Sequence, residues 1–123
     1  MQELTKAQID TFKREGCITV ENAVTPDQLD AMRAAFEGWV EESRKHDGPF
    51  GAQADGRARF DVEPGHTSDH PALRRVASPT ELDDVFLDVL TNSPMIAMLA
   101  QLNGPDLRLH HSKLNSKLPH TAT

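Results

Sequence analysis

Apolar positions recur at helical spacing in four stretches of the chain and alternate in only two. The first helix is predicted over Thr5 to Glu15. Thr5 and Gln8 have the spacing of a capping box, Ile9 and Phe12 form the stripe, and Gly16 suits the C-terminal cap. "CITV" (17–20) then reads as a short strand, because β-branched side chains suit a pleated surface. The second helix is the clearest element. Thr25 caps it, Pro26 takes the first helical position, Gln28 closes a second box, and the helix should end near His46. Leu29, Met32, Phe36, Trp39 and Val40 mark its buried face.

Residues 47–72 lose this periodicity. Gly, Asp, Pro and Ala dominate, and only "RARFDVE" (57–63) looks extended, so the stretch reads as a long loop carrying one strand. "SPTELDDVFLDVL" (78–90) predicts a third helix, with Ser78 as cap, Pro79 at the first position and Glu81 closing the box. "NSPMIAMLAQLNGP" (92–105) predicts a fourth, capped by Ser93 and stopped by Gly104-Pro105. Residues 107–118 alternate and predict a closing strand. Four helices with so few strands describe an α+β helical flank that packs on a sheet encoded elsewhere.

At 123 residues the chain is one domain or a piece of one. Its net charge of −6 argues against nucleic acid as a partner, since phosphate backbones demand clustered Lys and Arg. No apolar run approaches the roughly 20 residues that span a bilayer, so no membrane partner is expected. The opening residues lack the pattern of a secretory signal. The lone Cys17 fits a reducing cytoplasm and reads as a buried apolar thiol.

Six histidines invite a metal reading, which spacing weakens. His66 and His70 are four apart but lie among Pro and Gly, where no helix aligns them, so they read as solvated loop residues. His110 and His111 are neighbours on a predicted strand and point to opposite faces. A structural zinc held by His66, His70, His110 and His111 is an outsider. An oxygenase iron site takes two histidines and a carboxylate, commonly traced by an acid two residues after a His. The positions two after the six histidines are Gly48, Ser68, Ala72, Ser112, Lys113 and Ala122, none acidic. No metal or catalytic residue is therefore assigned. Arg57, Arg59, Arg74 and Arg75 bracket the long loop, and guanidinium forks suit carboxylates and phosphates. Ion pairs with the abundant acids are the expected fate of most of them.

Four segments in order carry a family resemblance: "LTKAQIDTFKREGCITVENAVTPDQLDAMRAAFEGWVEES" (4–43), "DGRARFDVEPGH" (55–66), "LRRVASPTE" (73–81) and "LNGPDLRLHHSKLNSKLP" (102–119). Together they resemble the phytanoyl-CoA dioxygenase (PhyH-like) family of iron(II)/2-oxoglutarate-dependent oxygenases, along essentially the whole chain. His120 departs from the family pattern, which favours a small Gly there. The resemblance implies residues 1–123 as the N-terminal part of one domain, with a helical flank and the first strands of a double-stranded β-helix (jelly roll). It implies iron and 2-oxoglutarate as cofactors of the complete domain, with neither expected to bind tightly to this chain alone. The family's His-X-Asp would follow the stretch matching 107–118, so the chain is expected to be inactive by itself. By the same resemblance Asn115, and less firmly Lys113, would contact 2-oxoglutarate, and His111 would lie near substrate. Separately from the resemblance, the length and charge of the 47–72 loop suggest a lid that includes Arg57 and Arg59, over a small organic or acyl-CoA-type molecule. The competing expectation is a non-catalytic helical module that self-associates through an uncompleted sheet.

Overall fold

The computed structural model describes residues 3–119. Helices α1 (Lys6–Glu15) and α2 (Pro26–Ser43) come first, followed by strands β1 (Phe50–Ala52), β2 (Ala58–Val62) and β3 (Leu73–Ala77). A 3₁₀ turn (Pro79–Glu81), helices α3 (Asp84–Asn92) and α4 (Pro94–Asn103), and strand β4 (Lys113–Asn115) complete the order. The architecture is α+β, with one open antiparallel sheet in the order β1-β2-β3-β4. Among the described residues no single helix is long and apolar enough to cross a membrane. Taken as a pair, α3 and α4 have that length and composition, but they bend by 52°.

Both capping boxes form. Thr5 Oγ1 accepts from the Gln8 amide at 3.2 Å while Gln8 Oε1 accepts from the Thr5 amide at 2.8 Å, and Thr25 and Gln28 repeat this at 3.1 and 3.0 Å. Gly16 closes α1 at φ 82°, a conformation that costs an L side chain roughly 1 kcal/mol or more. No α1 residue is buried. The helix is moored by the preceding Leu4, whose amide donates to Gln101 Oε1 on α4 at 2.8 Å. On α2, Phe36, Trp39 and Val40 pack on the core, but Leu29 is exposed. Gln28 Nε2 donates to Asp88 Oδ2 at 3.1 Å, tying α2 to α3.

The sheet was only partly predicted. Residues 17–20 form no strand, because extended β-branched residues need a ladder partner and none pairs with them. The expected loop 47–72 holds the β1–β2 hairpin. Residues 73–77, left without an element in the sequence reading, form β3. The register explains that omission. Phe60 faces Val76 and Asp61 faces Arg75, but Val62 faces Leu73, so a β-bulge leaves Arg74 unmatched. The extra residue lets Leu73 and Val76 both point into the core while Arg74 and Arg75 both line the opposite face. "LRRVA" therefore shows no two-residue alternation.

The core lies between α2 and one face of the sheet. One cross-strand row, Phe50–Phe60–Val76–Leu114, runs across all four strands on that face. Val76 is fully buried and Leu73 is 2% exposed. Trp39 meets Phe60 edge-on at 6.0 Å and stacks on Phe86 of α3 at 5.6 Å. The stack continues outward through Phe60, Phe50 and His46.

Two helix starts and the last strand differ from the sequence reading. Ser78 adopts φ 50° and caps nothing, so the third helix begins five residues later than expected, with Asp83 accepting from the Val85 amide. Ser93 precedes α4, but its hydroxyl makes no capping bond. Only three residues of the expected 107–118 strand pair with β3. Cys17 is exposed, because the segment that carries it never enters the core.

Candidate functional site

Helices cover one face of the sheet, and the other face carries the polar side chains. One step from the core row, Asp61, Arg75 and Asn115 stand in register across β2, β3 and β4, with Lys113 opposite Ala77 beside them. Successive strand residues alternate faces, so this second row points away from α2. Two concavities lie along it. The larger, about 510 Å³, is lined by Pro49, Gln53, Arg57, Ala58, Arg59, Asp61, Arg75, Ala77, Ser78, His111, Ser112 and Lys113. The smaller, about 340 Å³, is lined by Arg74, Arg75, Lys113, Asn115, Ser116 and Lys117. Arg75 and Lys113 border both.

All five residues singled out from the sequence reach this face. Arg57, Arg59, His111 and Lys113 line the larger concavity, and Asn115 and Lys113 line the smaller. Their surroundings differ, and the differences sort their roles. Arg59 is mostly buried, and its guanidinium donates to Ala77 O at 3.1 Å and Glu81 Oε2 at 2.8 Å. It is a brace between β2 and the 3₁₀ turn more than a free fork. Arg57 is exposed and donates to Asp55 Oδ2 from Nε at 2.7 Å and from Nη2 at 2.6 Å. These hydrogen bonds hold the Asp55 carboxyl below the usual range and raise the Arg57 guanidinium. Arg74 donates to Asp61 Oδ2, with Nε at 3.0 Å, and Asp61 raises the Arg74 guanidinium likewise.

Arg75 was not separated from the other three arginines by the sequence. Among the described residues its side chain has no ion pair or hydrogen-bond partner, although Asp61 is its cross-strand neighbour, because Arg74 occupies that carboxylate. Lys113 is likewise unpaired, and both side chains are exposed. Recognising Arg75 from sequence would have required placing the bulge.

His66 and His70, expected to be solvated, part company. His66 is 8% exposed. Its Nδ1 accepts from the Ala72 amide at 2.9 Å, which leaves the proton on Nε2 to be shared between Ser43 O and His46 O, each at 2.9 Å. With both nitrogens committed, His66 cannot serve the zinc set. His110 and His111 lie edge to face, centroids 4.7 Å apart. Among the described residues no three His, Cys, Asp or Glu side chains are grouped to hold a metal ion. Asn115 beside Arg75 offers donors that suit a carboxylate.

No family model matches this chain, and neither a curated protein nor a solved structure gives a significant match to it.

Proposed function

We propose that residues 1–123 form the N-terminal part of an iron(II)/2-oxoglutarate-dependent dioxygenase domain of the phytanoyl-CoA dioxygenase kind, acting in the cytoplasm on a small organic substrate. In this reading the four strands are the first of a double-stranded β-helix, α2 packs outside it, and the polar face is the wall of its cavity. One observation carries it. The sheet buries an apolar row under α2 and holds an unpaired guanidinium in register with an amide on the face that no helix covers. Arg75 supplies charge and a planar fork, and Asn115 adds a donor without changing that charge, which together suit one carboxylate of 2-oxoglutarate. No residue here is assigned to iron, and no chemical step is routed through it.

The test is a titration of the purified chain with 2-oxoglutarate, followed by amide NMR. Shifts should centre on Arg75 and Asn115, saturate in the millimolar range expected for about 4 kcal/mol of binding, and vanish in Arg75→Gln and Asn115→Ala. A flat response up to about 10 mM would remove the assignment.

A second reading is favoured by one feature of its own. The outer edge of β4 pairs with no described strand, and exposed Leu107, Leu109 and Leu118 flank it. Such an edge recruits a further strand, so the chain would self-associate there. Sedimentation decides between monomer and dimer, and a Lys113→Pro variant, which removes an amide on the outer edge of β4, would place association elsewhere if it left the dimer intact.

A further inference from the structure

The larger concavity has a charge imbalance that the 2-oxoglutarate reading does not use up. Of 13 Lys and Arg in the chain, four line it (Arg57, Arg59, Arg75 and Lys113), against one of 19 acids, Asp61. The smaller concavity is cationic too, with Arg74, Arg75, Lys113 and Lys117 and no acid, so a chain of net charge −6 gathers cations along this face. The ion pairs narrow the matter further. Asp55 answers Arg57, Glu81 answers Arg59, and Asp61 is taken by Arg74. Of the four cations lining the larger concavity, Arg75 and Lys113 have no counter-charge among the described residues.

Two uncompensated cations that border the same hollows repel one another, and a bound anion relieves the cost. If Arg75 serves the co-substrate carboxylate, Lys113 still lacks a partner, and it faces the larger space. His111, two residues earlier, borders the same hollow, as does the Arg57 guanidinium, whose Nη1 is not used by Asp55.

We infer that the larger concavity binds the anionic end of a substrate, a carboxylate or phosphate group, with Lys113 as its anchor and His111 and Arg57 at its rim. This deepens the oxygenase reading by naming the substrate's charge, and the site rests on that reading only for its link to catalysis. A lysine suits the task because its ammonium is a compact point charge that approaches either kind of oxyanion.

The experiment titrates the whole chain with inorganic phosphate and, separately, with acetate, at constant ionic strength, again by amide NMR. One probe should bind with shifts centred on His111, Lys113 and Ser78, and the tighter of the two identifies the group. Lys113→Gln should weaken that binding about tenfold, Lys113→Arg should restore it, and Arg14→Gln on α1 should leave it unchanged. The amide spectrum of each variant reports that it is folded. Equal weakening in Lys113→Gln and Arg14→Gln, or shifts spread over every basic residue, would overturn the inference, as would no binding of either probe. Asn115→Ala separates the two readings. Loss of 2-oxoglutarate binding with phosphate or acetate binding intact supports both. Absence of 2-oxoglutarate binding in the wild type, with Lys113-dependent anion binding, retires the oxygenase and keeps the anion site.

Discussion

Replacing His66 by Ala should cost more than any other histidine change among the described residues. The ring is 8% exposed and joins three backbone groups from separate segments: Ser43 at the end of α2, His46 beyond it, and Ala72 before β3. Ser43 is fully buried and Ala72 is 9% exposed, so little water is available to replace the ring. An orphaned buried donor or acceptor costs about 1–3 kcal/mol, and the missing ring leaves unfilled space as well. Counting the Ala72 amide in full and the two carbonyls in part, since they share one proton, gives a loss of about 3 kcal/mol. With a urea slope of about 1.5 kcal/mol/M, the unfolding midpoint should fall by about 2 M. Urea denaturation followed by Trp39 fluorescence measures it. His66→Gln, which keeps one donor and one acceptor, should fall between wild type and His66→Ala. His70, exposed and with its ring unbonded among the described residues, is the control, and His70→Ala should stay within about 0.5 kcal/mol. If the two alanine variants matched in midpoint, the claim that His66 ties the helix end to the sheet would be wrong.

Other perturbations follow from single features. Gly51→Ala would place a Cβ 3.1 Å from Arg59 Cβ and Phe60 Cδ2 at φ 72°, so thermal unfolding should show a loss of about 1–2 kcal/mol. Deleting Arg74 removes the bulge and leaves Leu73, Arg75 and Val76 in plain alternation, with both apolar residues still on the core face; urea unfolding should show a loss of only about 1 kcal/mol, and collapse of the fold would refute the register. Hydrogen bonds from Asn92 and then Gln28 hold the Asp88 carboxyl below its ordinary value. Because the folded value is the lower one, that stabilisation is present above the unfolded pKa of about 3.9 and is lost as pH falls through the folded one. Asp88→Asn should flatten the acid limb of a stability–pH curve, and an unchanged limb would assign it to other carboxylates.

What the sequence made legible was local chemistry. Thr5 with Gln8 and Thr25 with Gln28 form the bonds their spacing predicted, because a capping box is decided within four residues. Ser78, Pro79 and Glu81 have similar spacing, yet Ser78 is drawn into a left-handed turn while its amide donates to Ser112 O, 34 residues away. Tertiary pairing there overrides the local signal. β3 was hidden for a related reason, since a bulge is a property of two strands and leaves no period in one. The five residues singled out from the sequence all line the polar concavities, and the expectation that most arginines would be ion-paired holds for Arg57, Arg59 and Arg74. The one that stays unpaired was legible only once Asp61 had been assigned to its neighbour.

The sheet is joined unevenly along the chain, which has a kinetic consequence. β1 and β2 meet across a short turn, and Val62 pairs with Leu73 only 11 positions on, whereas Ala77 waits 36 positions for Lys113. Loop closure over that distance, through two helices, makes β4 the natural last strand to dock and the first to leave. Hydrogen exchange should read this directly: the Ser116 amide, bonded to Arg74 O at 2.9 Å, should exchange faster than the Glu63 amide, bonded to Ala72 O at the same distance. An anion held by β3 and β4 together would slow Ser116 and spare Glu63, so ligand occupancy and the closing of the sheet become one equilibrium.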